Sequence, residues 1–167
     1  MKFESVDLKQ LPDNPFRLIG DQWTLVTAGS ADSFNTMTAS WGGVGVLWNK
    51  PVATIYIRPQ RYTYEFLEKS DTFTLSFFYE QYRSALKLCG AKSGREIDKV
   101  KETGLTPVTE EGSVYFDEAR LVFVCKKLYF DDIKPENFYT PDLEINYPNR
   151  DYHRMYIGEI QKALIAK

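Results

Sequence analysis

Two short stretches hold the residues best suited to chemistry. Asn35-Thr36-Met37-Thr38-Ala39-Ser40-Trp41 places small and hydroxylated side chains at the end of a strand-like run. Side chains this small let backbone amides approach a flat ring that bulkier ones would hold off. Arg58-Pro59-Gln60-Arg61-Tyr62-Thr63 puts two guanidiniums and a hydroxyl at the start of a predicted helix. An anionic phosphate suits that position, because first-turn N–H groups lack partners, the helix dipole is positive there, and arginine adds a forked charge. The lone histidine, His153, lies in Arg150-Asp151-Tyr152-His153-Arg154, where Asp151 or Tyr152 is placed to fix its tautomer. Each of these residues also has an ordinary use: a strand face, a pair of solvated arginines, an exposed loop histidine. Their joint occurrence is what points to a site.

Other chemistries lack their residues. One histidine is too few for a zinc site built on two, and Cys89 and Cys125 form no CxxC, so no metal is expected. Both cysteines read as buried, reduced thiols. Gly43-Val44-Gly45 is not continued to GxGxxG, and neither a phosphate-binding GxxxxGK nor a GxSxG serine elbow occurs. The adjacent acids Asp131-Asp132 and Glu110-Glu111 read as surface charge. A net charge of −2 argues against nucleic-acid or anionic-membrane partners, which need a basic face. No apolar run approaches the roughly 20 residues that span a bilayer. The first seven residues carry acids where a secretory signal has an apolar segment, so a cytoplasmic location is expected.

The elements that must position these residues are mostly strands. With 167 residues, 43% of them hydrophobic, the chain can bury one core, and a single domain over 1–167 is expected. Runs at 23–28, 36–41, 44–48 and 52–57 are rich in Val, Ile, Thr and aromatics and are punctuated by glycine or Asn49-Lys50-Pro51. Thr72-Phe73-Thr74-Leu75-Ser76-Phe77 alternates strictly, as a half-buried strand does. Runs at 121–130 and 155–165 are long enough to bend through two layers. Helices are expected at 64–69 capped by Thr63, at 83–89 stopped by Gly90, and at 95–102 opened by Ser93 and Glu96 and stopped by Gly104. Short strands without regular βαβ alternation predict a mainly β fold, an antiparallel barrel.

Residues 35–41, read with the 44–57 strands and Arg58–Thr63, resemble the flavin reductase-like family, whose fold is the FMN-binding split barrel. Gly-Leu-Thr-Pro at 104–107 supports the likeness. The resemblance implies a Greek-key split β-barrel with a few short peripheral helices, paired as a homodimer. It implies FMN as cofactor, with Asn35, Thr38, Ala39, Ser40 and Trp41 along the flavin ring and ribityl chain. Arg58, Arg61, Tyr62 and Thr63 would hold the phosphate end, and His153 would lie near the nicotinamide or flavin edge as the catalytic candidate. The implied activity is NAD(P)H-dependent reduction of flavin; the alternative is a non-catalytic, flavoredoxin-like FMN electron carrier reduced by a partner protein. Residues 133–148 depart from the family pattern and read either as a loop over the substrate pocket or as a surface arm.

Overall fold

The computed structural model describes residues 3–167. Ten strands and three helices follow one another along the chain. They are β1 (Phe3–Ser5), β2 (Thr24–Gly29), β3 (Phe34–Ala39), β4 (Gly42–Leu47), β5 (Lys50–Ile57), α1 (Tyr62–Lys69), β6 (Thr72–Phe77), α2 (Arg83–Ala91), α3 (Lys99–Thr103), β7 (Pro107–Glu110), β8 (Ser113–Phe116), β9 (Leu121–Asp132) and β10 (Arg154–Ala166). One antiparallel sheet runs β3-β2-β6-β9-β10-β5-β4, with β1 also on β10, and β7 and β8 form a separate hairpin. The out-of-order neighbours are the crossings of a Greek key, and the mainly β split barrel read from the sequence is the fold observed. Among the described residues, no helix is long and apolar enough to cross a membrane.

β10 organises the sheet. Its first half pairs with β5, its last residues pair with β1, and β9 runs along the opposite side of both halves. Register shifts at Ile157/Gly158 and Ile160/Lys162 bend the ribbon, so one strand serves both parts of the split barrel. Gly158 allows this close approach: a Cβ there would lie 2.6 Å from two ring carbons of Phe73. Gly158→Ala is therefore expected to destabilise the fold by about 1–3 kcal/mol, because the buried Phe73 ring has nowhere to go. Thermal melts check this; an unchanged midpoint would show that the ring yields.

Two apolar clusters fill the fold. The larger lies inside the sheet and includes Val26, Ile55, Ile57, Leu67, Phe73, Leu75, Phe123 and Tyr156. The second packs Leu86 and Cys89 of α2 and Tyr115 and Phe116 of β8 against Leu25 and Val122. Cys89 and Cys125 are both free and buried, as expected.

Three helix boundaries differ from the sequence reading. α1 begins at Tyr62 after Arg61, with no side-chain cap; Thr63 is inside the helix and fully buried. α2 continues through Gly90 to Ala91. Gly90 is there for proximity instead of termination, since a Cβ would sit 3.3 Å from Cβ of Thr38. The third helix is only Lys99–Thr103, capped by Asp98, whose carboxylate accepts from the Lys101 amide at 3.1 Å. Ser93 instead accepts from the Arg95 amide, closing a tight turn before it. Gly104 stops the helix as expected, at φ 73°.

Candidate functional site

A cleft of about 210 Å³ is lined by Met37, Thr38, Ala39, Ser40, Trp41, Tyr56, Arg58, Arg61 and His153. Three elements build it. The chain leaves β3 and turns sharply at Gly42, where a Cβ would lie 2.7 Å from the Thr54 carbonyl oxygen, so Ser40 and Trp41 are held against β5. β5 ends at Ile57 and delivers Arg58. β10 begins with Arg154 opposite Ile57, which sets His153 beside that end. Thr38 is anchored from behind, its hydroxyl donating to the Leu86 carbonyl of α2 at 2.5 Å.

His153 is buried, not an exposed loop residue. Its ring lies 5.3 Å from the Trp41 ring centroid and edge-on to Tyr56 at 6.5 Å. Burial, then repulsion from Arg58, pushes its pKa down to about 4, and Asp151 only partly offsets them. The ring is therefore neutral at pH 7. Among the described residues neither Asp151 nor Tyr152 hydrogen-bonds its ring; the Tyr147 hydroxyl does, 2.8 Å from Nδ1.

The two arginines have different surroundings. Arg58 pairs with Asp151 at 2.8 Å, donates to the Asn146 carbonyl at 2.8 Å, and stacks over the Tyr147 ring at 5.0 Å. Gln60 also donates to Asp151, at 2.5 Å. Arg61 donates to the Gly90 carbonyl at 3.0 Å and has no acidic partner among the described residues. Burial, then the charge of Arg58, disfavours its protonated form.

Asn35, Tyr62 and Thr63 are not in this cleft. Asn35 and Tyr62 line a neighbouring cavity of about 600 Å³ with Gly94, Arg95 and Lys99. Asn35 donates to Thr63 at 2.7 Å and thereby braces β3 against α1. The 93–97 turn presses on this brace, since a Cβ at Gly94 would fall 2.1 Å from Oδ1 of Asn35. The Arg95 guanidinium lies over the Tyr62 ring at 4.7 Å and pairs with Glu65.

Three residues at the cleft, and one lysine of the neighbouring cavity, were not picked out as site residues from the sequence. Met37 belongs to the motif but has no polar group to draw notice. Tyr56 stands between the buried Ile55 and Ile57, so strand alternation alone would have turned it to the other face. Tyr147 stands out only as one of several aromatics in the 133–148 segment, and Lys99 carries no local signal. Lys99 is buried, and its ammonium donates to the carbonyls of Thr36 at 2.7 Å and Cys89 at 2.9 Å, tying β3 to α2. Burial lowers its pKa to about 8, helped by Arg61 and opposed by Cys89.

The cleft thus offers a strand end of small residues, an aromatic rim, a neutral histidine and an arginine lacking a counter-anion. These features fit a flat ring carrying an anionic tail. Comparison with known proteins agrees in kind. The family model described as flavin reductase like domain matches residues 16–166. No curated protein matches the chain. Among solved structures, flavoredoxin of Desulfovibrio vulgaris (Miyazaki F) is 25% identical, with TM-score 0.69, covering 100% of this chain and 78% of that one. An FMN-binding domain of a flavin reductases-like enzyme from Shewanella baltica OS155 is 19% identical, with TM-score 0.69 and coverage of 98% and 77%. An NADH:FAD oxidoreductase from Streptomyces globisporus C-1027 is 18% identical, with TM-score 0.67 and coverage of 90% and 80%.

Proposed function

Because the chain belongs to the flavin reductase-like family, we propose that it binds FMN in this cleft and works as an NAD(P)H-dependent flavin reductase over a single domain, 1–167. The observation that carries this reading is the convergence of Thr38–Trp41, Arg58, Arg61 and His153 on one cleft. When bound, FMN supplies hydride acceptance at its ring and onward electron transfer. The protein's part is orientation and electrostatics. The backbone of 38–41 would lie along the ring, and Arg58 and Arg61 would draw the phosphate end. Trp41, half exposed, limits water at the ring edge. His153, neutral and held by Tyr147, offers the cleft a polar ring edge without adding charge.

A second reading, an FMN electron carrier reduced by a partner protein, draws on the 25% identity to flavoredoxin across the whole chain. An anaerobic titration with FMN, then NADH, then NADPH separates the two. We expect FMN to bind and its visible band to bleach on adding one of the nucleotides. Binding without bleaching would favour the carrier; no binding would remove the site assignment.

The homodimer belongs to the same proposal. Val46, Trp48 and Tyr129 are large exposed apolar side chains on β4, its turn to β5, and β9, and Trp48 and Tyr129 meet edge-on, a surface suited to a second copy. Two free, buried thiols suit a reducing compartment, and we assign the protein to the cytoplasm.

A further inference from the structure

Residues 133–153 connect β9 to β10 and return on themselves, the Ile133 amide donating to the His153 carbonyl at 3.0 Å to close the base of the loop. Residues 139–146 are exposed without a break, and Tyr147 is the one buried residue between 134 and 152. Its backbone is fixed on both sides: its amide donates to the Glu144 carbonyl at 2.8 Å, and its carbonyl accepts from the Arg150 amide at 3.0 Å. Its ring has Phe138 stacked at 6.2 Å, Tyr152 at 4.8 Å and the Arg58 guanidinium over it at 5.0 Å. A side chain packed this closely has its hydroxyl in place before any ligand arrives.

That hydroxyl meets His153. The barrel itself gives the His153 ring only aromatic neighbours, Trp41 at 5.3 Å and Tyr56 at 6.5 Å. Among the described residues the one hydrogen bond to the ring is the contact of Tyr147 with Nδ1, 2.8 Å long. The bond between an imidazole and its Cβ has a broad, roughly two-fold torsion, so ring packing alone leaves two orientations open. A partner at one nitrogen selects between them. We propose that Tyr147 is the positioning residue of this site: through its hydroxyl the β9–β10 connection, and not the barrel, sets how the His153 ring meets the nicotinamide. The inference rests on the reductase reading above. It gives residues 133–148, where the chain departs from the family pattern, a part in selecting the hydride donor, because the donor meets a ring whose angle this connection fixes.

His153 is the chain's one histidine, so its imidazole gives a single set of ring resonances. Tyr147→Phe removes the hydroxyl and keeps the ring. It is expected to shift the His153 ring nitrogens whether or not FMN is added. It is also expected to raise KM for the nicotinamide by about 2- to 10-fold, the loss of one hydrogen bond, with the FMN dissociation constant held within about twofold of wild type. In a His153→Gln background the same change is expected to add nothing to KM, since the residue it acts through is gone. Phe138→Leu loosens the same loop but keeps the hydroxyl, and is expected to leave KM at the wild-type value. Unmoved His153 resonances in Tyr147→Phe, a KM that rises equally with and without His153, or a Phe138→Leu effect as large as that of Tyr147→Phe each overturns the proposal. If wild-type protein oxidises neither NADH nor NADPH, the reductase reading fails, and the imidazole spectrum still decides whether Tyr147 holds the ring.

Discussion

Acidification from pH 6.5 to about 4 is expected to cost the folded chain roughly 3 kcal/mol through His153, and His153→Gln to abolish that contribution. The folded-state pKa lies below the ordinary value of 6.5, so between the two the unfolded chain binds more protons. Stability therefore rises with pH across this window. It falls as pH is lowered, with the loss complete below about 4. The cause is specific. A protonated ring would sit buried beside the Arg58 guanidinium. Denaturant titrations of both proteins at several pH values test this. Carboxylates held ionised by partners, such as Asp132 by Arg154, add their own acid slope, but equally in both chains. Parallel profiles for wild type and variant would show that His153 protonates without penalty.

At the alkaline end Lys99 is expected to act with similar size. Its pKa of about 8 against the ordinary 10.5 corresponds to roughly 3 kcal/mol of burial cost, present in full below pH 8 and relieved as pH rises to 10.5. Stability contributed by this group thus increases with pH across that window. Lys99→Met lacks the increase. Near neutral pH the variant escapes the cost of the buried charge but leaves the Thr36 and Cys89 carbonyls without that donor, at about 1–3 kcal/mol each. Tyr115, Tyr156 and Cys125, held protonated by burial, pull stability down at high pH in both chains. The difference between the two profiles is therefore the quantity to measure. A difference that stays constant from pH 7 to 10.5 would contradict the assignment of this cost to Lys99.

What could be read from the sequence was local, and what could not was tertiary. β5 and β6 were legible because alternation and β-branched residues are properties of the strand itself. β1, three residues long, and the β7–β8 hairpin, entered at Pro107, carry too little pattern to stand out. Gly90 looked like a helix stop because glycine commonly is one; its actual reason, Thr38, lies 52 positions away on β3. Residues 38–41 of the motif and the arginines 58 and 61 stand out by residue type, and they do meet in one cleft. Asn35 and Thr63 were read as cofactor contacts. Both are polar residues near a predicted ligand, yet they bond each other and brace the strand behind it. Lys99 reads as a surface charge on a polar helix until α2 and β3 close over it.

β10 is the shared neighbour of β9, β5 and β1, and Phe3 stands opposite Ala166 in its register. During synthesis this has a temporal cost. At about 5–20 residues per second, β5 leaves the ribosome several seconds before 154–166 exist to pair with it. Until then β5 has only the β4 hairpin, and β9 only β6. The open sides of both strands are then unpaired edges on a nascent chain, free to mispair until 154–166 are made.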